Sequence, residues 1–564
     1  MFCNQCGTKM ADGAMFCPKC GAKQDPLVNA ASAVQSTAAA PATPSAIPVS
    51  AAAPAVPPVS AVPAAVPGAI PKQKPQKGFP FKVVAPLAGI VVLAVVAIVI
   101  ILSITGRGIK ADRYEKEAVI GWDWKDSDIC FFNLQGDTYL LEDVDFWNFD
   151  EVVSADMSVM AYTLWQEKSD TYDLYYITKD LEPVLVEEDV YYYSVKVSAG
   201  GDYIAYLTDV KENSSGDLYL YSVKDGKSTL IDSEVYPYML CMSPGGNAIA
   251  YLREYESNTD NVLYIGGIKI DSKKVDKDGA TPIAIRDNGK EMYYVTSNDK
   301  LYLYNGKDSV KLASDVDKEF YFNRDASQML YIKGGKTYFY ELKMKEPVKV
   351  ASAEIYDIVV TGDIVTYMGN NYYTWFVGLD TLKGRVINMD SGLYWLNNDG
   401  TDAVKIPHGD TYSYQIAADG KSILYQDGRT LYKISKFGEE MEPKIVYNDE
   451  YADYFAASAD LSKVYVVFDD ELHYVKGEKK TERITNDLSE YSVVAYNESM
   501  NKVFFIERDT LYCAGTTAKS KTEVADDVDY IVWFLGGVAY TVTNGDETTY
   551  YYMDNKEPIE LYTY

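Results

Sequence analysis

Two kinds of hydrophobic run organise this chain. One occurs once: VVAPLAGIVVLAVVAIVIILSI, residues 83–104, is 22 residues without a charge. That length spans a bilayer core as a helix, and Pro86 falls in its first turn, where proline is tolerated. The run is too long and too far from the N-terminus for a signal peptide. The second kind recurs from residue 150 to the end, as short apolar runs entered through Asp, Gly, Asn or Ser turns. It reads VSADMSVMAY ending at Tyr162, VSAGGDYIAY at Tyr206, MSPGGNAIAY at Tyr251, IRDNGKEMYY at Tyr294 and FNRDASQMLY at Tyr331. It continues with VVTGDIVTY at Tyr367, IAADGKSILY at Tyr425, ASADLSKVYV at Val466, YNESMNKVFF at Phe505 and FLGGVAY at Tyr540.

The steps between these end positions are 44, 45, 43, 37, 36, 58, 41, 39 and 35 residues. Most are followed by a second strand such as DLYLYS, KLYLYN or TLYKIS, a turn, and an apolar return. Each unit therefore predicts about four short strands in about forty residues. A continuously apolar run after a turn suits a strand buried on both faces. Ala161, Ala205, Ala250 and Ala539 share one register, where a small side chain lets neighbouring sheets approach. The 50 tyrosines favour strands and carry a hydroxyl to a wet edge.

The phrase S-x-D-G-x-x-I-A-Y followed by D-L-Y-L-Y resembles the TolB/WD40-like propeller repeats of bacterial envelope proteins, without WD or GH signatures. The resemblance implies a mainly β fold: β-propeller-like repeats of four-stranded blades over 114–564. Ten matches exceed the usual four to eight blades. The expectation is one large ring or two propellers, divided near 355–410, where the 58-residue step falls. The stretch DICFFNLQGDTYLLED is an eleventh, partial unit that could help close a ring. A β-sandwich array is the plainer alternative.

Charge and cysteine usage split at the apolar run. Residues 1–113 carry ten Lys and Arg against Asp12, Asp25 and Asp112, whereas 114–564 carry 43 basic and 79 acidic residues. A domain with that surplus repels nucleic acid and anionic headgroups, so no nucleic-acid partner is expected for it. Four of the seven cysteines, Cys3, Cys6, Cys17 and Cys20, form C-x2-C-x10-C-x2-C at the start, each pair followed by glycine. Two CxxC turns place four thiolates round one tetrahedral ion. A redox reading needs a thioredoxin-like βαβ pattern, which is not here. The residues resemble the short zinc-ribbon family at the start of many bacterial membrane proteins, with Phe2 and Phe16 in the matching aromatic places. The expectation is a ribbon at 1–24 holding one structural Zn2+, whose binding and folding are one event. Cys130, Cys241 and Cys513 are scattered singly and read as small buried hydrophobes.

Between ribbon and helix, residues 25–82 are rich in Ala, Pro, Val and Ser. Proline every few residues makes this an extended spacer that reaches on the order of 170 Å. Lysines 72, 74, 77 and 82 flank the helix on one side and Arg107, Lys110, Arg113 and Lys116 on the other, a tie under the positive-inside rule. Four thiolates keep their metal best in a reducing cytosol. The expected topology is a single-pass protein of the cell membrane, N-terminus cytoplasmic and C-terminal domain extracytoplasmic.

Catalytic motifs are missing. His408 and His473 are the two histidines and lie in separate repeats, leaving little material for a Ser-His-Asp arrangement. There is no G-x-S-x-G elbow, phosphate loop or HExxH. Carboxylates at Asp287, Asp399, Asp419 and Asp526 coincide with turns. The expectation is no catalytic or cofactor-binding site, and a non-enzymatic binding or scaffold protein whose propeller takes a protein, peptide or glycan. The rivals are an envelope sensor signalling through the ribbon and a propeller glycosidase or lyase.

Overall fold

The computed structural model describes residues 118–122, 129–133, 138–141, 152–210, 215–253, 262–276, 280–361, 366–368, 373–489, 492–533, 537–544, 547–553 and 558–563. The expected zinc ribbon, spacer and membrane helix all lie outside these residues. The chain divides into two units, 1–89 and 90–564, and every described strand belongs to the second. Among the described residues there are strands and two single turns of 3-10 helix, Tyr192–Ser194 and Ala518–Ser520. No helix among them is long and apolar enough to cross a membrane.

The strands form antiparallel units that follow one another along the chain. Unit 1 has three strands, Ala118–Trp122, Ile129–Asn133 and Thr138–Leu141. Units 2 to 4 are joined into one 11-stranded sheet through the single pairs Val190↔Thr208 and Val235↔Arg253. Unit 2 is Val159–Gln166, Thr171–Thr178 and Val184–Val190, its first strand reduced to the bridge Val153↔Met160, and units 3 and 4 start at Lys196 and Cys241 with four strands each. Units 5 to 11 start at Thr281, Glu319, Ile355, Tyr414, Tyr454, Ala495 and Val528, and each has four strands in chain order. Unit 6 alone among the described units has two more. These four-stranded antiparallel units are the expected propeller-like blades.

Successive units bury their faces against one another. Ala161, Ala205, Ala250 and Ala539 are fully buried, as the close approach of sheets requires. The tyrosines ending the phrases are not at a wet edge. Tyr206, Tyr251, Tyr294, Tyr331 and Tyr425 are buried, and each stacks on the tyrosine across from it in the third strand. Tyr206 and Tyr219 lie 5.5 Å apart at 13° in direct cross-strand register. The hydroxyls then reach the last strand of the preceding unit: Tyr206 donates to Glu187 at 3.1 Å, Tyr251 to Asp232 at 2.6 Å and Tyr294 to Asp276 at 2.7 Å. One residue thus ties three strands in two units.

The phrase turns form a second tie, which runs forward at the junctions named next, while the turn of unit 7 donates back to unit 6, from Leu382 N–H and the Thr381 hydroxyl to Gln328 Oε1 at 2.8 and 3.0 Å. Ala155 N–H donates to Ala199 O at 2.9 Å, Gly200 N–H to Pro244 O at 3.1 Å and Gly245 N–H to Asp287 Oδ1 at 2.8 Å. Further on, Arg286 binds Asp325 at 2.6 Å, Arg324 N–H donates to Leu379 O at 2.8 Å, and Ala418 N–H to Ala459 O at 2.8 Å. Ala459 N–H meets Glu498, and Asn497 Nδ2 donates to Gly537 O at 2.7 Å.

One repeat is displaced from its expected place. Tyr367 does not end a phrase: its strand, Thr366–Met368, pairs with Tyr373–Val377, and this hairpin joins unit 6 by a parallel ladder onto Glu319–Phe322. The second strand of unit 7 is Val386–Met389, with Ile387 facing Tyr394 where a phrase tyrosine would stand. The long step therefore contains an inserted hairpin. Packing continues through 355–410, the expected division: one buried cluster joins Tyr321 and Phe339 to Ile355 and Ile387, the next joins Val386 and Trp395 to Ile416 and Tyr425.

The partial first unit packs Ile129, Phe131 and Leu141 against Met160 and Tyr162. Its third strand also approaches the last strand of the chain, Ile559–Thr563. The same fourth-to-third-strand approach occurs between neighbouring units 8 and 9, at Lys444–Tyr447 and Glu471–Gly477. The two ends of the series are thereby brought together.

Candidate functional site

In a four-stranded antiparallel unit the phrase turn lies at one end, and the connection to the next unit lies at the other. Large aromatics are left exposed at that second end. Tyr238, Tyr412 and Tyr451 sit on connections with exposures of 43%, 79% and 54%, while Tyr356 and Tyr373, at 56% and 60%, sit near the starts of their strands. All but Tyr373 have acidic neighbours in sequence, as in DSEVYPY, SAEIYDI, HGDTYSY and NDEYADY.

These features converge most densely on units 6 to 8. The strand Ile355–Ile358 carries a bulge, since Ile355 pairs with Met389 but Asp357 pairs with Asn388. The extra residue is Tyr356. A bulge re-aims side chains, and here Ile355 and Ile358 both stay in the core while Tyr356 and Asp357 both reach solvent. Asp357 and Asn388 are cross-strand partners, so their side chains share a face, the one turned towards unit 8. There Asn388 Nδ2 donates to Tyr414 Oη at 3.3 Å. Asn388 is 8% exposed and its Oδ1 has no hydrogen-bond partner. From unit 6, the Tyr321 hydroxyl donates to Tyr356 O at 3.4 Å.

The electrostatics follow from that geometry. Asp357 reaches solvent, yet desolvation by the surrounding protein pushes it up to about 6, against a backbone hydrogen bond from Ile358. Glu319 is raised by burial and by Glu354 and Asp317. Burial and then Asp357 raise Tyr414, and burial followed by Glu319 and Asp357 raises Tyr321. Tyr356 is raised by burial, then by Tyr412, Asp390 and Glu354. Lys318, next to Glu319 in sequence, pairs with Asp299 at 3.2 Å. The inserted hairpin lies beside this cluster, with Tyr373 opposite Glu319 in the ladder.

A second aromatic patch lies on the connections of units 2 to 4. Trp165 meets Tyr172 at 4.8 Å, Tyr172 meets Tyr192 at 4.6 Å, and Tyr192 meets Tyr193 at 3.8 Å. Tyr191 and Tyr238 share a hydrogen bond of 2.6 Å between hydroxyls.

The residues singled out in the sequence are placed as follows. Cys3, Cys6, Cys17 and Cys20 lie outside the described residues; four thiols in two CxxC pairs form a donor set suited to zinc. Cys241 and Cys513 are free and buried, and burial pushes the Cys241 thiol up to about 12. His473 lies in a strand, held by Glu471 at 2.8 Å and Thr481 at 3.0 Å. His408 stacks on Tyr432 at 4.7 Å and meets Asp427 at 3.2 Å. The turn carboxylates serve their turns: Asp399 accepts Thr401 N–H at 3.0 Å, Asp419 accepts Lys421 N–H at 2.9 Å, and Asp526 accepts the Thr510 hydroxyl at 2.9 Å. Asp287 accepts from the turn of the preceding unit. Sequence reasoning did not find Glu319, Tyr356, Asp357, Asn388, Tyr412 or Tyr414. The acid-x-Tyr that recurs at the start of several units, as at Glu354-Ile-Tyr356 and Asp410-Thr-Tyr412, was the available signal.

Comparison with known proteins adds the following. Residues 2–24 match the zinc-ribbon domain family. No curated protein matches the chain. Among solved structures, an oligogalacturonate lyase in complex with manganese is 13% identical, with 57% of this chain and 96% of that one covered at a TM-score of 0.29. The β-propeller domain of the trilobed protease from Pyrococcus furiosus is 13% identical, with 50% and 92% covered at 0.30. TolB from Acinetobacter baumannii is 12% identical, with 58% and 80% covered at 0.24.

Proposed function

We propose that this chain is a membrane-anchored, non-enzymatic binding or scaffold protein. A cytoplasmic zinc ribbon and spacer precede one membrane helix, and the propeller-like domain presents its ligand surface outside. The observation that carries the binding role is the recurrence of exposed tyrosines beside carboxylates where successive units connect. Tyrosine offers large, rigid contact area with a polar tip at little entropic cost, and a row of them is costly to leave in water unless something covers it. The aromatic patch of units 2 to 4 and the tyrosine and carboxylate cluster of units 6 to 8 are its two parts.

The full chain in detergent micelles, applied to arrays of peptides and envelope glycans, tests this reading. Ligands should be retained by the native chain and lost from the Tyr356→Ala/Tyr412→Ala variant. Retention of nothing on either array, or equal retention by both chains, refutes it. Protease treatment of intact and lysed cells tests the orientation, with the propeller expected to be shaved while the ribbon survives.

A glycosidase or lyase is the second reading, favoured by one observation: Glu319 and Asp357 both act on Tyr321, and Asp357 is tuned for proton transfer near neutral pH. Release of shortened glycan from the array would put it first.

A further inference from the structure

We propose that the face shared by units 7 and 8 binds the cationic head of an organic amine or guanidine, held among Asp357, Asn388 and Tyr414 and flanked by Tyr356 and Tyr412. This rests on the binding role above and names the ligand class for its second part.

Three features select that chemistry. The groups meeting on this face are hydrogen-bond acceptors: the Asp357 carboxylate and the Asn388 carbonyl, with Glu319, Glu354 and Asp390 acting on the neighbouring Tyr321 and Tyr356. Asn388 is the decisive one, because its Oδ1 is buried without a partner while its Nδ2 is committed to Tyr414. A buried acceptor left unpaired is costly, and an N–H donor brought against it would satisfy it. The exposed rings of Tyr356 and Tyr412 supply faces that attract an ammonium or guanidinium group. Finally, among the described residues no three His, Cys, Asp or Glu side chains stand close enough together to hold a metal ion. Carboxylates too dispersed for a small cation and interleaved with tyrosines suit a larger one.

The pH dependence follows with a definite sign. The groups set about Asp357 are Tyr321 from unit 6, Tyr356 and Asn388 from unit 7 and Tyr414 from unit 8, with Glu319, Glu354, Asp390 and Tyr412 next beyond them. Burial keeps Tyr321, Tyr356 and Tyr414 neutral in the working range. Protonating Asp357 as pH falls through about 6 removes the central charge, and Glu319, also raised, follows in the same direction.

Titration calorimetry of the full chain in micelles tests the proposal, with spermidine, hexalysine, fully acetylated hexalysine and Ca2+ as probes. Spermidine or hexalysine should bind, and the acetylated peptide and Ca2+ should not. Tighter binding of spermidine points to a free amine, and tighter binding of hexalysine to a basic protein segment. Affinity should fall about tenfold from about pH 7.5 to about pH 5, following one ionisation. Asp357→Asn should weaken binding and remove most of that dependence, leaving the smaller part carried by Glu319, and Tyr412→Ala, at a highly exposed position, should weaken it about two- to fivefold. Asp308→Asn, on a distant exposed hairpin turn, should leave it unchanged. Equal weakening by Asp308→Asn and Asp357→Asn, or binding of Ca2+ as tight as that of the amines, overturns the assignment. Array ligands that depend on Tyr356 and Tyr412 but no amine binding would overturn the cation class and leave the binding role standing.

Discussion

Tyr251 and Tyr293 allow one chemical change to be made in two opposite environments. Both rings are fully buried in second strands of neighbouring units. The Tyr251 hydroxyl lies 2.6 Å from Asp232 and 2.8 Å from Ser272. The Tyr293 hydroxyl has no partner, because Tyr293 occupies the register that holds alanine in units 2, 3, 4 and 11. Tyr251→Phe deletes a hydrogen bond to a carboxylate, worth roughly 1.5–3 kcal/mol. Asp232 keeps its ion pair with Arg253 at 3.2 Å and is 13% exposed, so the charge is not stranded and the loss should be about 2 kcal/mol. Tyr293→Phe keeps the ring contacts to Phe322 and Tyr340, at 5.2 and 6.4 Å, and removes an orphaned buried hydroxyl. That change should be neutral or stabilising by up to about 2 kcal/mol. Equilibrium urea unfolding, followed by tyrosine fluorescence and by local hydrogen exchange in units 4 and 5, gives both values. Equal losses in the two variants would refute the reasoning, because partner geometry would then count for nothing.

Other consequences can be measured alongside. Gly246→Ala should destabilise by about 1–3 kcal/mol in the same urea titration, since Gly246 has φ +76° and a new Cβ would lie 2.7 Å from Tyr203 Cβ. Stability should be intact below about pH 10, the ordinary tyrosine value, and should fall as pH rises beyond it. The raised folded-state values behind this include Tyr221, Tyr454 and Tyr540 at about 12, each chiefly from burial. Tyrosinate absorbance should therefore appear together with unfolding, and smooth titration of a folded chain would contradict it. The chain should carry one zinc ion by atomic absorption; Cys17→Ser should lower that content, and a chelator should unfold the ribbon while leaving the strand signal unchanged.

The repeat was legible because its main determinants are local. Asp and Gly turns, a continuous apolar run and the YLY strand each announce themselves within ten residues. Unit 7 was missed for the same reason: its second strand, VINM, lacks the phrase, and the inserted TYM strand imitates it, so the total of ten came out unchanged. What the tyrosines do depended on neighbours about twenty residues away, such as Asp232 for Tyr251 and Asp276 for Tyr294. The candidate site was least visible. Asp357 looks like any strand-edge acid until the bulge at Tyr356 sets it opposite Asn388, and Asn388 gains meaning from Tyr414, a residue of the next unit.

The forward-pointing bonds between phrase turns bear on how such a chain can change its length over generations. Where a turn donates to its successor, as along units 2 to 7 and again along units 8 to 11, the junctions present a similar socket and plug. Duplicating or deleting one whole unit then leaves no unmatched group at the seam, so unit number is free to drift by simple copying. Units 6 and 7 are the exception. The hairpin inserted in unit 7's sequence is built into unit 6's sheet, so neither can be copied or lost without the other. That pair should be inherited as a block, a fixed landmark in a series whose other members are interchangeable.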